Sequence, residues 1–133
     1  MLNIEWDKSM EIGIPNIDAQ HQSLFNVIKA LDGTLHYDAG TEEVSSLISK
    51  LNCYAIEHFS EEEMMMLSFR YPDLVSHRKL HDQFVSRLEE IQRDFDDGHQ
   101  VTDNITDFLM NWLITHVLGV DQEYKRFMSL QSQ

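Results

Sequence analysis

Residues 44–63 read VSSLISKLNCYAIEHFSEEE, and this stretch decides the fold. Val44, Leu47, Ile48, Leu51, Tyr54, Ala55 and Phe59 recur at steps of three and four. That is the period of one helix face, and no alternation of period two runs through it. The same stripe then meets ionisable residues. His58 continues the line of Leu51 and Tyr54, and Glu62 follows one turn later. Positions i and i+4 share a helix face, so both side chains aim where the apolar ones do. A carboxylate there without a partner costs several kcal/mol or is forced neutral.

Three more segments carry the same period. The first helix shows Leu24, Phe25, Ile28, Leu31 and Leu35, from an N-cap at Asp18 to about Tyr37. The second opens at Thr41 and reaches about Met66. The third shows Leu74, Phe84, Val85, Leu88, Ile91 and Phe95, with Pro72 in its first turn and an end near Asp97-Gly98. The fourth shows Ile105, Phe108, Leu109, Trp112 and Leu113; Thr102 and Asp103 open it and it runs to Leu118. Four amphipathic helices with short connections imply an all-α, antiparallel up-down-up-down bundle over residues 18–118. Residues 1–17 read as an irregular arm broken by Gly13, Pro15 and Asn16, with Trp6 as its anchor. Gly119 interrupts the pattern, and residues 121–130 read as a short terminal helix. No repeat or linker divides residues 1–133, so a single domain is expected.

Composition narrows the partners. The chain has 10 basic and 23 acidic residues, a formal charge of -13. That field repels nucleic-acid phosphates and anionic lipid, so neither is expected as a partner. The N-terminus lacks a basic stretch followed by an apolar run, and no apolar segment approaches the ~20 residues that span a bilayer. A cytoplasmic location is expected. Cys53 is the single cysteine, which excludes an internal disulfide and a cysteine zinc site. It is expected as a small, partly buried helix residue. Met64, Met65 and Met66 read as core filler at a helix end, and Glu61 and Glu63 as a solvated face.

The histidines lie on the buried stripes. His21 stands three before Leu24; His77, His81, Phe84 and Leu88 form one line; His116 follows Trp112 and Leu113. In an antiparallel bundle, the starts of the first and third helices meet the finishes of the second and fourth. His21, His58, Glu62, His77, His81 and His116 therefore converge on one end. His36 and His99 fall at the other end and read as surface residues. Asp121 follows His116 by five residues, which at about 100° per residue overshoots a full circle by about 140°. A break at Gly119 would re-aim Asp121 inward, but spacing alone leaves it undecided.

Five imidazoles and two carboxylates without a thiolate suit iron, zinc, copper or manganese. Seven donors are too many for one ion, so two ions are the natural reading. Two six-coordinate ions offer about twelve positions; five histidines, two bridging carboxylates and a bridging oxygen leave one open. A lone core histidine is usually a hydrogen-bonded packing residue, but convergence of the whole set argues against that here.

Together these residues resemble the hemerythrin family, in particular the bacterial hemerythrins. The match covers essentially the whole chain: Trp6, Gly13, IDAQH ending at His21, HFSEE from His58, YPDLVSHRKLH from Tyr71, and WLITHVLGVD from Trp112 to Asp121. The resemblance implies a non-haem di-iron centre that binds dioxygen reversibly and does not act as an enzyme. It implies His77, His81 and His116 on the more saturated iron, and His21 and His58 on the iron with the open position. Glu62, Asp121 and an oxo or hydroxo group would bridge, which adds Asp121 to the set. It also implies that Leu24, Phe59, Trp112, Leu113 and Val117 wall the dioxygen pocket. Such a domain serves as a dioxygen carrier or store, or as the sensing module of a signalling protein with a covalently linked output domain. The rival class is a di-iron oxidase or iron-storage protein of the ferritin-like kind, built on Glu-x-x-His motifs; none occurs in this sequence. A third reading, a helical interaction module, would require no metal.

Overall fold

The computed structural model of the protein describes Leu2 and residues 4–131; residues 1 and 3 of the expected arm and the last two residues, 132 and 133, lie outside the described residues. Among the described residues every regular element is helical, and the α-helices are α1 (Pro15–Gly33), α2 (Thr41–Ser68), α3 (Leu74–Asp96), α4 (Asp103–Leu118) and α5 (Val120–Gln131). The first four form the up-down-up-down bundle. α2 packs between α1 and α3, and α1 also packs against α4.

The helix starts show how local chemistry sets the frame. α1 begins at Pro15, not after Asp18, because proline pre-sets the helical φ and sacrifices an N–H that has no partner there. Asp18 is thus no N-cap. Its carboxylate accepts from Ile12 N at 2.7 Å and Gly13 N at 3.1 Å, clamping the arm over the helix start. Gly13 sits at φ 86°, the left-handed region where that turn needs glycine. α1 gives way to a 3₁₀ turn over Thr34–His36, short of the expected end at Tyr37. α3 starts at Leu74, with Pro72 in the preceding turn.

The core draws on all four bundle helices, through Leu24, Ile28 and Leu31, Ile48, Leu51 and Ala55, Phe84 and Leu88, and Leu109 and Leu113. Trp6 lays its ring edge-on to Phe25, centroids 5.6 Å apart, and so anchors the arm as expected. Three expectations fail at the margins of the stripes. Phe108 is 42% exposed and lies under the Arg87 guanidinium, 5.7 Å from its ring centroid. Met64 is 68% exposed, and of the methionine run only Met66 is fully buried. Cys53 is exposed, not partly buried: it stands two residues from both Leu51 and Ala55, about 200° around the helix from each. His36 and His99 are exposed, as their positions predict.

A second apolar cluster of Ile12, Ile17, Met66, Tyr71 and Tyr124 packs the arm and α5 onto one end of the bundle. A polar tie that the sequence reading missed involves α1 and α4. The buried Asp32 carboxylate accepts from Thr106 Oγ at 2.8 Å and from Leu2 N at 2.9 Å. Burial alone would raise the pKa of Asp32, but these two donors hold it below the ordinary carboxylate value. Among the described residues, no helix is long and apolar enough to cross a membrane.

Candidate metal centre

Glu62 is the centre of the site. It is 0% exposed, near the end of α2, and its two oxygens face different histidines. Oε1 lies 3.0 Å from His77 Nε2, 3.0 Å from His81 Nε2 and 3.8 Å from His116 Nε2. Oε2 lies 3.3 Å from His21 Nε2 and 3.2 Å from His58 Nε2. α1 contributes His21, α2 His58 and Glu62, α3 His77 and His81, and α4 His116, and each of these side chains is buried. The antiparallel topology brings the six together, as the spacing predicts.

Asp121 joins them. Its Oδ1 lies 3.0 Å from His77 Nε2 and 3.1 Å from His116 Nε2, and its Oδ2 lies 3.2 Å from His21 Nε2. The break that delivers it is specific. α4 stops at Leu118, Gly119 adopts φ -103° and ψ -91°, and α5 starts anew at Val120. A Cβ on Gly119 would stand 2.8 Å from the Thr115 carbonyl oxygen, so only glycine fits this bend. Asp121 then sits in the first turn of α5, where the free N–H groups favour a carboxylate.

The donor set fits metal better than it fits itself. His21 Nδ1 and Nε2, His58 Nε2 and both Asp121 oxygens are buried without a properly aligned hydrogen-bond partner. Buried polar atoms are nearly always paired, so this many orphans at one point signal an ion. Two groups of donors lie within reach of single ions: Glu62 with His77, His81 and His116, and Glu62 with His21 and His58.

Electrostatics agree. Burial opposes charge on every group, yet the two carboxylates draw protons onto the imidazoles. His21 is raised to about 10 and His77 to about 9, in each case because Asp121 and Glu62 together outweigh desolvation. His116 is raised by the same pair. His58 faces Glu62 chiefly, and there desolvation wins and lowers it. Glu62 and Asp121 are both held below the ordinary carboxylate range, because the surrounding imidazoles overcome their burial.

Phe59 stacks on His81 with ring centroids 3.9 Å apart, and Trp112 stacks on His116 at 4.5 Å. Leu24, Leu113 and Val117 are buried, while Trp112 is half-buried. Three neighbours escaped the sequence reading. Tyr124, fully buried on α5, donates its hydroxyl to Glu62 Oε2 at 3.1 Å; its signal was a place one turn after Asp121. Burial, and then the Glu62 charge, raise that phenol far above its usual value. Glu63 is not on a solvated face, since its carboxylate lies 2.8 Å from His81 Nδ1. Gln20 lies 2.7 Å from His58 Nδ1 and carried no signal at all.

A family model described as the hemerythrin HHE cation binding domain matches residues 12–128. A bacteriohemerythrin of Clostridium acetobutylicum is 31% identical over 126 residues, 90% of this chain and 96% of that protein. A myohemerythrin of Theromyzon tessulatum is 31% identical over 121 residues, covering 91% and 90% of the two chains. A crystal structure of wild-type hemerythrin superimposes with a TM-score of 0.86 at 26% identity, covering 94% of this chain and 97% of that one.

Two outcomes follow from this geometry. Gly119→Ala lowers unfolding free energy by about 1–3 kcal/mol, read by urea denaturation, because the added methyl meets backbone. Metal uptake by metal-free protein at pH 7 releases about two protons per chain, since His21 and His77 must lose theirs. Apparent affinity therefore climbs with pH through about 9 and about 10, where His77 and then His21 lose their protons, and levels off above that. Calorimetry in buffers of different ionisation enthalpy counts the protons.

Proposed function

The chain belongs to the hemerythrin family, and from that premise we propose that it is a non-haem di-iron protein that binds dioxygen reversibly and turns over no organic substrate. One observation carries the reading: both carboxylates split their oxygens between the same two histidine groups. Glu62 turns Oε1 to His77 and His81 and Oε2 to His21 and His58. Asp121 turns Oδ1 to His77 and His116 and Oδ2 to His21. A carboxylate that faces two histidine groups at once is placed so that it would be shared by two ions, one held by each group.

In this reading His77, His81 and His116 would hold one iron, and His21 and His58 the other, with Glu62 and Asp121 shared. When bound, the irons supply two electrons and an open coordination position for dioxygen. The residues supply the rest. Leu24, Phe59, Trp112, Leu113 and Val117 form the wall of the dioxygen pocket and keep water from it, which slows irreversible oxidation. The rings of Phe59 and Trp112 lie flat on His81 and His116, fixing the planes in which those imidazoles present Nε2. Tyr124 holds Glu62 from the side of Oε2, so the carboxylate cannot rotate away from its bridging pose.

The ferritin-like oxidase or storage alternative is not favoured. Its sites rest on paired Glu-x-x-His motifs, and this site is rich in histidine and poor in carboxylate. The domain serves either as a carrier or store in the cytoplasm or as a sensing module tied to an output domain. Finding such a domain on the native chain would decide between them.

Metal analysis of the purified protein is expected to give two irons per chain. The reduced form is expected colourless under argon, with a visible band on admission of dioxygen that disappears when the gas is removed. Consumption of dioxygen with a reductant oxidised at each cycle would instead favour the oxidase. Leu113→Ala opens the pocket wall and is expected to speed autoxidation several-fold, followed by loss of the dioxygen band; an unchanged rate removes Leu113 from the wall.

A further inference from the structure

Glu61, Glu62 and Glu63 are consecutive, so on α2 they point about 100° apart. Glu62 faces the interior, and its two neighbours flank it toward α1 and α3. Each flank reaches the outer nitrogen of one histidine, by different chemistry. On the α3 side, Glu63 Oε2 lies 2.8 Å from His81 Nδ1. A carboxylate only accepts, so His81 donates from Nδ1 and keeps its Nε2 lone pair toward Glu62. Arg78 Nε donates to Glu63 Oε1 at 3.0 Å and holds that carboxylate in place.

On the α1 side an amide intervenes. Gln20 Nε2 donates to Glu61 Oε2, which fixes the orientation of the amide. Gln20 Oε1 is thereby turned to His58 Nδ1 at 2.7 Å, and His58 too presents Nε2 inward. Both imidazoles share one tautomer. The partner is an anion for His81 and a neutral amide for His58.

We propose that Glu63 and Gln20 are positioning residues that give the two metal positions unequal donor strength, with the His81 position the stronger. An imidazole whose N–H donates to a carboxylate carries more electron density on its ligating nitrogen and is a better donor to a more highly charged ion. The Glu63 side chain is only 18% exposed, whereas Arg78 is 53% exposed, so solvent screens the guanidinium more than it screens the Glu63–His81 contact. The unequal pair favours the ferric state on the His81 side and leaves the His58 side easier to keep ferrous. This rests on the di-iron reading above. If Glu63 were merely a clasp between α2 and α3, its charge would affect stability and leave the redox equilibrium unmoved.

The test uses the full, iron-loaded chain. Glu63→Gln keeps the shape and an acceptor oxygen but removes the charge. It is expected to raise the midpoint potential, shifting the ferric-to-ferrous ratio about tenfold, or about 59 mV for one electron. Its iron should pass to a ferrous chelator about 10-fold to 100-fold faster. The exchanged pair, Gln20→Glu with Glu61→Gln, moves the carboxylate onto His58 without changing the number of charges, and should lower the potential. Arg78→Gln frees Glu63 from its counter-charge and should also lower it, and this exposed site keeps the comparison available if Glu63→Gln does not fold. Two irons per chain with unchanged potentials in the exchanged pair and in whichever of the other two variants folds would overturn the proposal and leave the di-iron reading intact. An unaltered chain that takes up no iron would overturn that reading, and the proposal with it.

Discussion

A carboxylate with no exposed surface is the constraint from which the rest of this molecule follows. Desolvation works against charge on Glu62, and only a dense shell of donors and counter-charge keeps it ionised. Four helices answer it. Each contributes at least one imidazole, and α5 adds a phenol and a second carboxylate. The bundle could bury apolar residues at this end as it does at mid-length, where Leu51, Ala55 and Leu88 are fully enclosed. It forgoes that stabilisation, and a cluster of polar groups without aligned partners among themselves is what a site for ions looks like before the ions are considered.

Asp121 shows how narrowly the second carboxylate is placed. A continuous α4 would carry it about 140° away from His116. The bend at Gly119 removes that angle, and its tight contact with the Thr115 carbonyl means that no other residue serves. The bend also begins a helix whose inner face carries Tyr124 to Glu62 and whose Gln122 amide reaches back to the carbonyls of Ser9 and Glu11 in the arm. The terminal helix is thus part of the site's wall and of the arm's attachment at once.

The period of three and four in residues 44–59 made the bundle legible, and the antiparallel rule then put His21, His58, His77, His81 and His116 at one end. Both are short-range patterns that survive in a single line of text. What was not legible depends on angle and on neighbours. Asp18 resembles an N-cap, but Pro15 starts the helix first and frees the carboxylate to clamp the arm. Phe108 and Met64 sit at stripe edges, where a shift of a few tens of degrees exchanges core for solvent. Glu63 and Gln20 were invisible because their importance lies in which histidine stands beside them on another helix. Asp32 was invisible for the same reason, since its partners come from α4 and the N-terminal arm.

The balance of charge in the site bears on why it should hold a ligand without consuming it. With two divalent ions held as proposed, two carboxylates against five neutral imidazoles would leave a substantial residual positive charge in a medium that screens it weakly. Removing further electrons from such a centre is opposed by that charge. A site with more carboxylates would oppose it less and would be better suited to oxidising a substrate. The groups just outside divide by side. Glu63 acts on His81, away from the His58 side, and Glu61 reaches His58 only through the neutral amide of Gln20, so no anion bears directly on the His58 side. In the proposed di-iron centre, histidine content and the neutral amide on the His58 side would thus act together to keep the electrons of the centre available for loan but not for loss.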